Sequence, residues 1–402
     1  MMYRDDDRVP NIGIVATIGI ILVALLIAGG FLIPTILGER SKDTPDKETT
    51  TAETVAVSTE VESPTAMNVS AGMTEEETTL DVPTTAETKG EPVTDERVTD
   101  ASTTEAVSTE EASTTDNNST EETSMENQSY MDKVRANFTT EVPKEIQKND
   151  TGKLEHIQYY SKKAEKQKGA YVWLPPEYSP EKKYPVFYIN HGITGDETSM
   201  LNGFALREMA SNLIQSGEAE PMILVFTFMY TNKDKGNCTA ITAEETPFYD
   251  AFLDDLIDSL MPYIEANYPC LTGFENTAIG GFSMGGRESL YISITCPERF
   301  GYVAASSPAP GVVPAKDMFM EHPGCMREEE FKFAPDKAPY VLMLAGGTKD
   351  YVVGTFPEQY HKLFEKNATD HIWLSVPNGG HDGSVGIPLF YNFLKCLFKA
   401  EK

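Results

Sequence analysis

Thr277-Ala278-Ile279-Gly280-Gly281-Phe282-Ser283-Met284-Gly285-Gly286 is the stretch on which the reading of the fold turns. A short apolar run, residues 277–279, soon gives way to a helix-compatible segment, residues 287–295. A strand that turns so sharply into a helix holds the intervening serine in a strained conformation, which only small neighbours at Gly281 and Gly285 permit. The Ser283 hydroxyl is then lifted above the end of the strand. The N–H of Met284, at the helix N-terminus, can face a developing oxyanion. Gly-x-Ser-x-Gly alone arises readily by chance, and a Gly-rich helix start that merely packs closely is the competing reading. Its surroundings give it meaning.

Short apolar runs recur on either side, at residues 185–190 (PVFYIN), 222–228 (MILVFTF), 302–305, 340–345 (YVLMLA) and 372–376 (IWLSV). Runs of this length and composition read as strands buried on both faces. Residues 154–160 and 170–174 flank a basic, Gly-containing segment, 162–169, and read as a hairpin. Between the runs lie helical patterns, the clearest at residues 249–268, where Phe252, Leu256, Leu260 and Ile264 recur at intervals of four. Strand and helix in alternation predict an α/β fold: a mostly parallel central sheet with helices on both faces. Ligands in such folds bind beyond the carboxyl ends of the strands.

Chemistry-bearing residues stand at those ends. A serine hydroxyl needs a base, and the chain order Ser, Asp, His is the one this fold uses. His381 lies in Asn378-Gly379-Gly380-His381-Asp382-Gly383, just beyond the last predicted strand. Asp350 ends Gly346-Gly347-Thr348-Lys349-Asp350, beyond the strand before it, and its carboxylate can hold the imidazole in the useful tautomer. Asp382 is the rival acid, but a side chain adjacent to His381 in sequence usually points elsewhere. In Asn190-His191-Gly192-Ile193 the loop after the third strand offers a second oxyanion donor, the N–H of Ile193. Gly192 lets the chain turn there, and His191 is expected to brace the loop rather than act as base. His156, His322, His361 and His371 read as structural or solvated.

The rest of the chain is of a different character. With 33 basic and 62 acidic side chains the net charge is −29, so nucleic acid is not an expected partner. Residues 41–130 hold 22 of the acidic and 4 of the basic side chains, with 22 Thr and 10 Ser. That stretch cannot bury enough apolar surface to offset the entropy of ordering it. Upstream, residues 11–37 carry no ionisable side chain over 27 positions, more than the ~20 needed to cross a bilayer. The expected organisation is a short N-terminal tail (1–10), a transmembrane signal-anchor (11–37), a disordered acidic stalk (38–141) and a catalytic domain (142–402). A cleavable signal peptide is the alternative to the anchor. A stalk makes most sense if it lifts the domain off a membrane, outside the cytoplasm. The five Cys residues contain no Cys-x-x-Cys pair, so neither a zinc cage nor a dithiol motif is expected.

YPVFYINHGITGDE, IGGFSMGG, AGGTKDYVVG and NGGHDG together resemble family 1 carbohydrate esterases, especially the feruloyl esterase modules that accompany xylanases. The likeness runs from about Glu155 to Phe398. It implies an α/β-hydrolase that removes hydroxycinnamoyl or acetyl groups from plant cell-wall xylan, with Ser283, Asp350 and His381 in the matching catalytic positions. No metal or organic cofactor is required by that chemistry, and the partner is an esterified oligosaccharide or small ester. Siderophore-ester hydrolases, S-formylglutathione hydrolases and mycolyltransferases carry a similar elbow, and a non-catalytic surface module remains a reading from another class.

Overall fold

The computed structural model describes residues 130–400. The expected tail, the apolar span at 11–37 and the stalk up to residue 129 lie outside the described residues. Among the described residues no helix is long and apolar enough to cross a membrane.

The strands are β1 Lys153–Ser161, β2 Lys166–Leu174, β3 Val186–Asn190, β4 Ile223–Phe226, β5 Thr277–Phe282, β6 Tyr302–Ser306, β7 Ala315–Lys316, β8 Glu321–His322, β9 Val341–Gly347 and β10 Ile372–Val376. Eight of them form one sheet in the order β1-β2-β4-β3-β5-β6-β9-β10, and β7 and β8 make a small hairpin of their own. The β1–β2 and β2–β4 pairs are antiparallel, and every pair from β4 to β10 is parallel. Every residue of β3, β4 and β6 is buried. Successive side chains of a strand point to opposite faces, so burial at every position means cover on both faces. Burying each Val, Leu, Ile or Phe contributes roughly 1.5–3 kcal/mol. The cover comes from α1 Leu206–Gln215, a segmented helix α2 over residues 247–267, α3 Met284–Thr295, α4 Phe356–Lys366 and α5 Gly383–Cys396.

Three sequence expectations shift. Half of the basic segment expected between the first two strands is itself strand: Lys166 pairs with Ser161 and Gly169 with Gln158, leaving a turn of only residues 162–165. The ammonium of Lys168 is admitted to the interior because it meets Asp255 there, at 2.7 Å. The helix expected over 249–268 is broken into segments, with a wide π turn at Leu256–Leu260. Pro262 follows that turn and has no N–H to continue an α-helical ladder, so the register shift falls where a ladder bond would be missing anyway. The third shift is at the domain boundary. Residues 130–141, assigned above to the stalk, pack on the domain: Met131 is buried, the Tyr130 hydroxyl donates to the Cys396 carbonyl at 2.5 Å, and Asn392 bonds both polar groups of the Thr139 backbone. An aromatic and a Met at the end of a polar tract supply the apolar surface that the tract lacks. All five cysteines are free.

Candidate active site

Ser283 sits between the end of β5 and the start of α3 with φ 57° and ψ −118°. A non-glycine residue there is strained by roughly 1–3 kcal/mol, and the surrounding bonds have to hold it. Its N–H donates to the Ser306 carbonyl at 2.9 Å, and its own carbonyl accepts from Arg287 N–H and Ala309 N–H, each at 3.0 Å. The two flanking glycines are needed for contact, not only for the turn. A Cβ on Gly281 would stand 2.6 Å from the Asn190 carbonyl oxygen, and one on Gly285 would stand 2.1 Å from the same oxygen. Backbone from β3 therefore presses directly on the elbow.

That close approach brings the loop after β3 to Ser283. A Cβ on Gly192 would lie 3.5 Å from Ser283 Cβ. Ile193 follows, and among the described residues neither its N–H nor that of Met284 has a hydrogen-bond partner. Thr194 adopts φ 63°, and its N–H donates to the Tyr249 hydroxyl at 2.8 Å. His191 is fully buried. Its Nε2 accepts from Met229 N–H at 3.0 Å, so the proton lies on Nδ1, which donates to the Gly192 carbonyl at 2.6 Å. Burial, opposed by that carbonyl, holds its pKa down at about 4. A neutral imidazole with both nitrogens engaged braces the loop and has no free lone pair for proton transfer.

Asp350 and His381 meet at the far side of the elbow. His381 Nδ1 donates to Asp350 Oδ2 at 2.8 Å. The other carboxylate oxygen accepts from Val352 and Val353 N–H at 3.0 and 3.1 Å. Burial pushes the Asp350 carboxyl up, but the His381 bond and the two amides outweigh it and hold it below the usual range. The two loops are stapled together: Lys349 N–H donates to the Gly379 carbonyl at 2.9 Å, and a Cβ on Gly347 would reach 2.3 Å from that oxygen. The Phe282 ring, next to Ser283 in sequence, packs on His381 with centroids 4.5 Å apart. Asp382 turns elsewhere and caps α5, accepting from Ser384 N–H at 2.8 Å.

Residues 161–386 match the family model named Esterase. The chain belongs to the Esterase family. A CE1 ferulic acid esterase from Anaeromyces mucronatus, solved in complex with ferulic acid, is 38% identical to this chain with a TM-score of 0.63. That alignment covers 66% of this chain and 99% of the other. An endo-1,4-beta-xylanase/feruloyl esterase of Xylanibacter ruminicola is 34% identical over 157 residues, 38% of this chain and 21% of the relative. Endo-1,4-beta-xylanase Y of Acetivibrio thermocellus is 34% identical over 145 residues, 33% of this chain and 12% of that one. The chain thus spans only a small part of the length of these two relatives.

Beside the elbow lies a buried charge cluster that the sequence pattern does not mark. Arg287, one turn into α3, contacts Asp250 and Glu288 and donates to the Gly311 carbonyl at 2.9 Å. Burial pushes the Glu288 carboxyl well above its ordinary range, against the pull of Arg287. The cluster ties α3 to the start of α2 and to the loop after β6. The remaining histidines are paired away from the elbow: His156 with Glu197, His322 with Asp317, and His361 with His371. Tyr249 was also missed as a brace for the loop after β3, since nothing in a helical apolar pattern marks one hydroxyl as aimed at a distant amide.

Proposed function

We propose that the protein is a serine carboxylic-ester hydrolase that removes feruloyl or acetyl groups from xylan or its oligosaccharides. The observation that carries the chemistry is Ser283 in its strained elbow, with the loop of Gly192 and Ile193 packed against it and the neighbouring Phe282 ring packed on His381, whose imidazole a buried carboxylate orients. The likeness to ferulic acid esterases supports the acyl group. In this reading the Ser283 hydroxyl attacks the ester carbonyl while His381 Nε2 takes its proton. The N–H groups of Ile193 and Met284 hold the oxyanion. His381 returns the proton to the leaving alcohol, and water, activated by the same imidazole, releases the acid from the acyl-enzyme. Asp350 keeps the imidazole in the tautomer that leaves Nε2 unprotonated.

The test is turnover of methyl ferulate, an acetylated xylo-oligosaccharide, S-formylglutathione and a catecholate siderophore ester, with Ser283→Ala in parallel. Ferulate or acetyl release that vanishes in the variant is expected. Turnover of another ester alone would overturn the substrate, and activity that survives in Ser283→Ala would overturn the mechanism. We further propose that the apolar run at 11–37 anchors the domain outside the cytoplasm. Protease shaving of intact cells should then remove the domain, and resistance in sealed cells would count against the placement.

A further inference from the structure

Lys168 in β2 takes no part in the chemistry proposed above, yet its ammonium and the Asp255 carboxylate are both fully buried. It donates to Asp255 Oδ2 at 2.7 Å and to Thr231 Oγ1 at 2.8 Å. Its remaining face meets the rings of Phe228 and Phe252, at 5.4 and 5.3 Å. Apolar residues of similar volume often serve stability as well as a buried ion pair does, so stability alone gives little reason to keep one. Asp255 Oδ1 even lacks a partner among the described residues.

The bonds beyond Lys168 lead toward the elbow. Thr231 Oγ1, having accepted from Lys168, donates to the Met229 carbonyl at 2.7 Å. Met229 N–H donates to His191 Nε2, and His191 Nδ1 donates to the Gly192 carbonyl. Phe228, which meets the ammonium, also stacks on the His191 ring with centroids 6.0 Å apart. We infer that Lys168 is a positioning residue for the oxyanion loop. Its ammonium fixes the segment from Phe228 to Thr231, and through Met229 and His191 that segment sets the direction of the Ile193 N–H. The inference rests on reading Ile193 as an oxyanion donor. A displaced donor weakens the transition state and spares substrate binding.

The test uses Thr231→Val, which removes the relaying hydroxyl and leaves the Lys168–Asp255 pair in place. Tyr159→Phe is the comparison, because the Tyr159 hydroxyl donates to Asp255 at 2.7 Å from β1, off the route to His191. Both are measured for kcat, KM, melting temperature and affinity for phenylboronic acid, which forms a tetrahedral adduct on the serine. For Thr231→Val, kcat and boronate affinity should each fall about tenfold while KM stays within about twofold. Tyr159→Phe should lower the melting temperature and leave kcat within about twofold. Lys168→Met combined with Asp255→Asn, which avoids a lone buried charge, should lose at least as much kcat as Thr231→Val. Unchanged kcat and boronate affinity in Thr231→Val, or equal kcat loss in Tyr159→Phe, would show the pair to be a folding device only. A wild-type protein that turns over no ester and binds no boronate would overturn the esterase reading, and this inference with it.

Discussion

Replacing Asp350 by Asn changes one atom, and the structure dictates which way the amide must face. Oδ1 of Asp350 accepts from two amides, Val352 and Val353. An asparagine keeps those bonds only if its carbonyl oxygen takes that place, which puts its NH₂ where Oδ2 now receives His381 Nδ1 at 2.8 Å. Donor would then oppose donor. The imidazole relieves this by moving its proton to Nε2, so Nδ1 accepts from the amide and Nε2, the nitrogen proposed to serve Ser283, can no longer take a proton. Loss of the correct tautomer with packing intact costs about 10⁴ in kcat, about 5.5 kcal/mol of barrier. The check is kcat and KM for Asp350→Asn on whichever ester the wild type turns over, with circular dichroism to confirm folding. Asp382→Ala serves as the paired control: it removes a helix cap worth about 1 kcal/mol and should keep kcat. A loss of less than about tenfold in Asp350→Asn, or an equal loss in Asp382→Ala, would refute the reasoning.

Three further outcomes are expected. Gly285→Ala would place a Cβ 2.1 Å from the Asn190 oxygen and 2.7 Å from that of His191, both backbone atoms. It should cost at least about 1–3 kcal/mol in urea melts and abolish turnover, whereas Gly236→Ala, in open space, should do neither. Burial holds the His191 imidazole down at about 4 in the folded protein, against 6.5 for a free side chain. Its folded value is depressed, so the unfolded chain binds more protons between these two values. Its contribution is full above about pH 6.5 and falls by about 3 kcal/mol as pH drops to about 4. Urea melts across that range should show the slope in the wild type and a flatter one in His191→Gln, and identical slopes would remove the assignment. Tyr249→Phe strands the Thr194 N–H, costing about 1–3 kcal/mol, and should lower kcat more than it raises KM. Unchanged kinetics would show that the oxyanion loop holds itself.

The inner strands of the parallel sheet were legible because they are short runs buried on both faces, and local composition alone produces that signal; β10, at the sheet edge, is buried on one face only, with Ser375 exposed. Residues 372–376 are strand over the expected bounds, and His381 follows in a glycine-rich loop as the chain order required. The first two strands were harder to bound. Lys166 to Gly169 look like a turn until Asp255, from a helix far along the chain, makes Lys168 tolerable inside. The start of the domain was missed for a related reason: Tyr130 and Met131 end a polar tract, and the Tyr130 hydroxyl finds its partner on α5 at the other end of the chain.

The amino-acid order alone determined the fold class, the elbow and the identity of the acid and base candidates. These follow from local constraints: periodicity, the need for glycine beside a strained serine, and the place of polar residues after strand ends. Only the tertiary structure paired His381 with Asp350 rather than Asp382, gave His191 a single tautomer, and bonded Lys168 to Thr231. Each of those depends on the direction of a hydrogen bond between segments remote in sequence. Direction is a property of packed atoms that no pattern along the chain contains.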